Sequence, residues 1–148
     1  HGVCHWARVR ETALRLALIT GADAEVVELF SVFHDARREN EGTDPEHGPR
    51  GALFAAALRG RMYELSDAQF SLLHVACADH TRMLTHGDVT VQTCWDADRL
   101  DLGRVNITPR PEYLSTAAAR DPEFIAWAHS RSLRFTVPEI VHRGWVRG

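Results

Sequence analysis

His34-Asp35 closes the apolar run Leu29-Phe30-Ser31-Val32-Phe33, and this pair is the stretch of the chain best suited to chemistry. An imidazole beside a carboxylate is costly to bury unless something compensates both groups. A divalent metal ion does so, because neutral imidazole and carboxylate together make a good site for one. His5 upstream, His47 and His80 downstream, and the segment Asp96-Ala97-Asp98-Arg99-Leu100-Asp101 add ligands of the same kinds. Taken singly, each of these histidines is better explained as a core or surface residue. Jointly, on several helices pointing inward, they suit a metal site built between helices.

The elements that must carry these residues read as helices. Val9, Ala13, Leu16 and Ala17 recur at helical spacing between about Val3 and Ile19, and Thr20-Gly21 stops the segment. Asp23 can cap a second helix whose Val27, Phe30 and His34 share the buried face. A polar loop follows from Arg37 to Thr43. Asp44-Pro45-Glu46 reads as N-cap, first-turn proline and first-turn acid of a helix carrying His47, Gly51, Phe54 and Leu58. Ser66-x-x-Gln69 is a capping box for a helix with Leu73, Ala76 and His80 on one face. Val89-Thr90-Val91 could extend locally but is too short for a sheet; Asp98 to Val105 reads as a further helix. Asp121-Pro122-Glu123 starts another, with Phe124, Ile125 and Trp127, and after Phe135 the pattern fades into a tail with Pro138 and Trp145. The expectation is an all-α bundle of about six or seven helices with the metal site between them.

Composition sets outer limits. A chain of 148 residues, 45% hydrophobic and 25% charged, is sized for a single domain. Within it, residues 1–105 bear the motifs and residues 106–148 form a C-terminal helix and tail. A net charge of −3 argues against a partner with a nucleic-acid backbone, and no basic stripe is interleaved with aromatics. An anionic small substrate stays open, since local arginines can oppose the global sign. Cys4, Cys77 and Cys94 form no C-x-x-C pair, two of them sit among apolar or aromatic residues, and they read as small buried thiols in a reducing compartment. No apolar run approaches the roughly 18–20 residues that span a bilayer, so no membrane partner and a cytoplasmic location are expected. The chain begins at His1 without methionine, directly in a motif-bearing segment, so preceding residues are expected.

The order His5, His34-Asp35, His47, His80, Asp98 resembles the HD-domain superfamily of metal-dependent phosphohydrolases. His5-Trp6-Ala7-Arg8-Val9 resembles that family's first-helix histidine followed by Arg-Val, and Phe33-His34-Asp35 its eponymous pair. Asp96-Ala97-Asp98-Arg99-Leu100-Asp101 resembles its distal motif, an acidic ligand followed by a basic residue and a further acid. The resemblance implies that His5, His34, Asp35 and Asp98 hold one divalent ion (Mn, Mg, Fe, Co, Ni or Zn). It implies that His47 and His80 either bind a second ion, with Asp35 bridging, or contact substrate and move protons. Asp98 is preferred over Asp96 as the distal ligand, and Asp101 is taken as an orienting carboxylate.

A metal so held would polarise a phosphoryl oxygen and lower the pKa of a water, with Asp35, His47, His80 and Arg38 the expected catalytic set. Arg8, Arg37, Arg50 and Arg99 stand near the ligands and could contact phosphate bidentately. Glu39, Glu41 and Glu46 offer them ion pairs instead, and Arg8 and Arg99 could equally brace the ligand helices. His1, four residues before His5, would share its helix face but is taken as exposed. The implied function is a small stand-alone hydrolase, monomer or homodimer, acting on a nucleotide or other small phosphorylated metabolite. Two alternatives stand beside it: a mixed-valent di-iron oxygenase of the same superfamily and a non-catalytic nucleotide-sensing domain.

Overall fold

The computed structural model describes Gly2–Gly144; His1, weighed above as a substrate contact, and Trp145 of the tail lie outside the described residues. Within them the chain is all-helical. Helix α1 (Val3–Thr20) is followed by α2 (Ala24–Phe33), α3 (His47–Leu58), α4 (Asp67–Asp79), α5 (Val89–Arg99), α6 (Ala117–Arg120), α7 (Pro122–Leu133) and α8 (Glu139–His142). Short 3-10 turns occupy Leu102–Val105 and Pro111–Tyr113. No helix among the described residues is long and apolar enough to cross a membrane.

The termini form for local reasons. Gly21 ends α1 in the left-handed region at φ 78°, its N–H donating to the Ala17 carbonyl. The Asp23 carboxylate caps α2 by accepting from the N–H groups of Glu25 and Val26. Ser66 and Gln69 close both halves of the capping box on α4.

Helix α1 packs on α2 and α5, while α4 packs on α2, α3 and α5. Their shared core takes Val9, Ala13 and Leu16 from α1, Val26, Val27 and Phe30 from α2, and Leu73, Ala76 and Cys77 from α4, with Val91, Cys94 and Trp95 from α5. Each fully buried large side chain contributes about 1.5–3 kcal/mol over leaving it in water. Trp95 adds a hydrogen bond from Nε1 to the Ala76 carbonyl at 2.9 Å, which fixes α5 against α4.

Four local expectations need correction. Helix α3 begins at His47, and Asp44 is not its N-cap. The Asp44 carboxylate is held instead by Arg50 Nη2, at 2.6 and 2.7 Å, and by the Glu39 N–H. Val89-Thr90-Val91 is the first turn of α5, capped by Asp88, because burying Thr90 and Val91 outweighs their β preference. The expected helix from Asp98 to Val105 is the end of α5 and then the 3-10 turn. The single-turn helices α6 and α8 lie where no pattern was read.

Candidate metal centre

Five helices deliver the site. His5 lies in the first turns of α1; His34 and Asp35 follow α2, His34 as its C-cap. His47 opens α3, His80 is the C-cap of α4, and Asp98 sits in the last turn of α5. Two glycines let α3 come close enough. A methyl group at Gly48 would stand 2.6 Å from the Cys77 carbonyl oxygen, and one at Gly51 would overlap the Phe33 carbonyl. That contact sets His47 against His80 and Asp35.

His5, His34, Asp35, His47 and His80 are all buried. Each imidazole is anchored through Nδ1. His5 pairs with Asp101 Oδ2 at 2.7 Å, His34 with the Phe30 carbonyl at 3.0 Å, His80 with the Cys77 carbonyl at 2.8 Å and His47 with the Asp44 carbonyl. A carbonyl or an ionised carboxylate oxygen only accepts, so these Nδ1 atoms carry the proton and a neutral ring presents its Nε2 lone pair inward. The Nε2 atoms meet in pairs, His5 with His34 at 3.2 Å and His47 with His80 at 3.0 Å. Two nitrogens bound at about 2.1 Å to a common ion stand roughly 3.0–3.4 Å apart for octahedral to tetrahedral angles. Facing lone pairs at that distance repel unless a cation or proton lies between them.

Asp35 joins the two pairs. Its Oδ2 is 3.5 Å from His5 Nε2 and 3.8 Å from His34 Nε2, while its Oδ1 is 3.1 Å from His47 Nε2 and 3.8 Å from His80 Nε2. Asp98 Oδ1 belongs to the first pair, 3.4 Å from His5 and 3.5 Å from His34. The donor set therefore fits a metal ion, with His5, His34 and Asp35 as one group and Asp35, His47 and His80 as another.

The electrostatics call for positive charge. Burial resists ionisation of Asp35 and Asp98, yet the histidines around them hold both carboxyls well below the usual carboxylate range. Burial pulls His5 down, but Asp101, Asp35 and Asp98 together push it up to about 9. Burial likewise opposes His47, and Asp35 raises it. Asp101 takes a bidentate contact from Arg8, Nε at 2.7 Å and Nη2 at 3.0 Å, so it orients His5 while neutralised from behind. Asp96 faces elsewhere, accepting from Ser115 N–H, Thr116 N–H and Thr116 Oγ1.

A cavity of about 400 Å³ opens over these side chains, lined by Asp35, His47, His80, Asp98, Arg38 and Arg104 among others. Arg38 lies over the His47 ring, Nη1 at 3.1 and 3.2 Å from its nitrogens, with Nη2 donating to the Gly42 carbonyl. The side chain of Arg104 is 9% exposed and donates to the Asp101 carbonyl, while its buried Nε has no partner. None of the four arginines expected to contact phosphate lines this cavity, whereas Arg38 of the expected catalytic set does, as does Arg82, which donates to Glu46. Arg8 braces Asp101, and Arg37 stacks on Phe54 at 4.5 Å. Arg50 pairs with Asp44, and Arg99 donates to the carbonyls of Met83, Leu84 and Tyr113. Each has found a closer acceptor or ring. Arg104 was missed; its signal was the spacing Asp101-Leu102-Gly103-Arg104, one turn past the acidic motif. Compared with protein-family models, curated proteins and solved structures, the chain gives no match.

Proposed function

We propose that this protein is a metal-dependent phosphohydrolase acting on a nucleotide or other small phosphorylated metabolite, as its likeness to HD-domain enzymes implies. One observation carries the reading: two Nε2 pairs joined by Asp35 open into a cavity that Arg38 and Arg104 also line. His5, His34, Asp35 and Asp98 would hold a divalent ion, and Asp35, His47 and His80 a second, which would supply a Lewis acid and a water of lowered pKa. The chain does the rest. Asp35 fixes the two groups of ligands relative to each other, and the Nδ1 anchors hold each ring in one tautomer and one orientation. Arg38 and Arg104 stand on the cavity wall to neutralise phosphoryl oxygens. Where only one ion binds, His47 and His80 are left to hold or pass a proton at Nε2. Three free cysteines suit a reducing cytoplasm, where such substrates are abundant.

Metal analysis of purified protein, paired with a phosphate-release screen over nucleotides and sugar phosphates, tests the proposal. Bound divalent metal and a hydrolysed ester or anhydride are expected, both lost in Asp35→Ala and His34→Ala. Activity unchanged in both variants would overturn it. The complete four-histidine set also serves a di-iron oxygenase; iron with a visible absorption band, dioxygen uptake and no phosphate release would select that reading.

A further inference from the structure

A second cavity adjoins the metal cavity. It measures about 240 Å³, and Leu84, Leu102, Ile107, Pro109, Tyr113 and Leu114 supply its apolar walls. Leu102 lines both cavities, so the two are neighbours across one side chain. Leu84 is 53% exposed, Ile107 50% and Tyr113 52%. Isolated exposed apolar residues are ordinary, but several gathered around one cleft beside a reactive centre mark a ligand site.

The cleft is held in shape from within. The Arg99 guanidinium donates to the Met83 and Leu84 carbonyls from one wall and to the Tyr113 carbonyl from the other, at 2.6, 2.7 and 3.2 Å. This accounts for Arg99 of the acidic motif, which the metal cavity does not use. With its donors engaged by carbonyls, the slot presents mainly carbon. Its volume lies below the roughly 300–1,000 Å³ of whole-ligand pockets, so it suits a portion of a molecule, about one ring system.

We propose that this cleft binds the apolar, planar portion of the substrate whose phosphate occupies the metal cavity, making the substrate class phosphate esters of compact ring-bearing alcohols rather than open-chain or sugar phosphates. The inference rests on the phosphohydrolase reading for the phosphate end. Hydrolysis cleaves one phosphorus–oxygen bond, adds the elements of water and returns inorganic phosphate and the free alcohol.

Two measurements on the metal-loaded chain separate this inference from the reading beneath it. The first compares kcat/KM for 2-phenylethyl phosphate and ethyl phosphate, in wild type and in Ile107→Asp and Tyr113→Ala. Both replaced residues are half exposed, so folding should survive. Wild type is expected to favour the aromatic ester by about tenfold or more, and both variants to lose most of that ratio. The second titrates 2-phenylethanol, which has no phosphate, and follows the Ile107 and Leu84 methyl resonances. Saturable shifts absent from Ile107→Asp are expected. Hydrolysis of both esters without preference, together with no binding of the alcohol, would overturn the cleft but leave the hydrolase. Alcohol binding without hydrolysis of any ester would keep the cleft and overturn the hydrolase.

Discussion

Asp35 faces both histidine pairs at once: its Oδ1 lies toward His47 and its Oδ2 toward His5. Proton and metal must compete at such a site. In chelated protein the pKa of His5 is raised from 6.5 to about 9 by its carboxylate neighbours, against the effect of burial. A raised imidazole pKa contributes stability that is fully present below 6.5 and is lost as pH rises through about 9. Metal binding must expel that proton, so affinity should keep climbing with pH up to about 9. Calorimetric titration at about pH 7.5 in buffers of different ionisation heat should read a net release of protons on metal binding; identical heats in all buffers would contradict it. Arg104 carries a second residue-scale prediction. Arg104→Gln should raise KM for a phosphate ester about tenfold or more while the bound metal is unchanged, since it removes a charge-assisted contact but no ligand. Steady-state kinetics with metal analysis of the same sample checks it.

At the scale of elements, the second group of candidate ligands comes together because α3 lies almost in backbone contact with the ends of α2 and α4. A glycine inside a helix ordinarily costs about 0.5–1 kcal/mol relative to alanine. Gly48→Ala and Gly51→Ala should nonetheless destabilise, because the added methyl meets backbone carbonyls that cannot rotate away. Overpacking of that kind costs about 1–3 kcal/mol and wins over the propensity gain. The expected outcome is a lower thermal midpoint and selective loss of metal at His47 and His80, with the His5–His34 pair still loaded. Thermal denaturation and metal stoichiometry read the two effects separately. Stabilised variants with a full metal complement would show that the close approach is not what sets the second group.

At the scale of the whole molecule, the candidate ligands lie at the ends of the same helices whose other faces form the core, so a bound metal and the fold should be coupled. An ion at a hundred times its dissociation constant adds about 2.7 kcal/mol to the folded state. Chelation should therefore lower the thermal midpoint, and re-addition of the ion should restore it. The thiols report on the same packing. Burial pushes Cys77 and Cys94 up, whereas Cys4 is only partly buried. In native protein only Cys4 should react promptly with a thiol reagent, and all three should react after denaturation. Buried thiols that hold protons more tightly than unfolded ones contribute stability below the free-thiol value of about 8.5 and lose it as pH rises. Alkaline solution should thus weaken the fold, as denaturant titrations at rising pH would show.

Much of this was legible in one dimension. Helical spacing on α1 and α2, the Asp23 cap and the Ser66–Gln69 capping box are local, because backbone donors at a helix start must be met by side chains a few residues away. That these histidines and carboxylates would gather was legible too, since burying imidazole and carboxylate on apolar faces requires a partner. What needed the tertiary structure was pairing. Asp98 and Asp96 differ by two residues, and only the packing of α5 turns the first toward His5 and the second toward Thr116. The arginines were indistinguishable by sequence distance from the ligands, because a long flexible side chain goes to whichever acceptor or ring the fold brings nearest. Thus Arg8 went to Asp101 and Arg99 to loop carbonyls, and Arg104 stood at the cavity with Arg38. Residue type and spacing determined which chemistry was within reach; long-range contact decided which atoms meet to perform it.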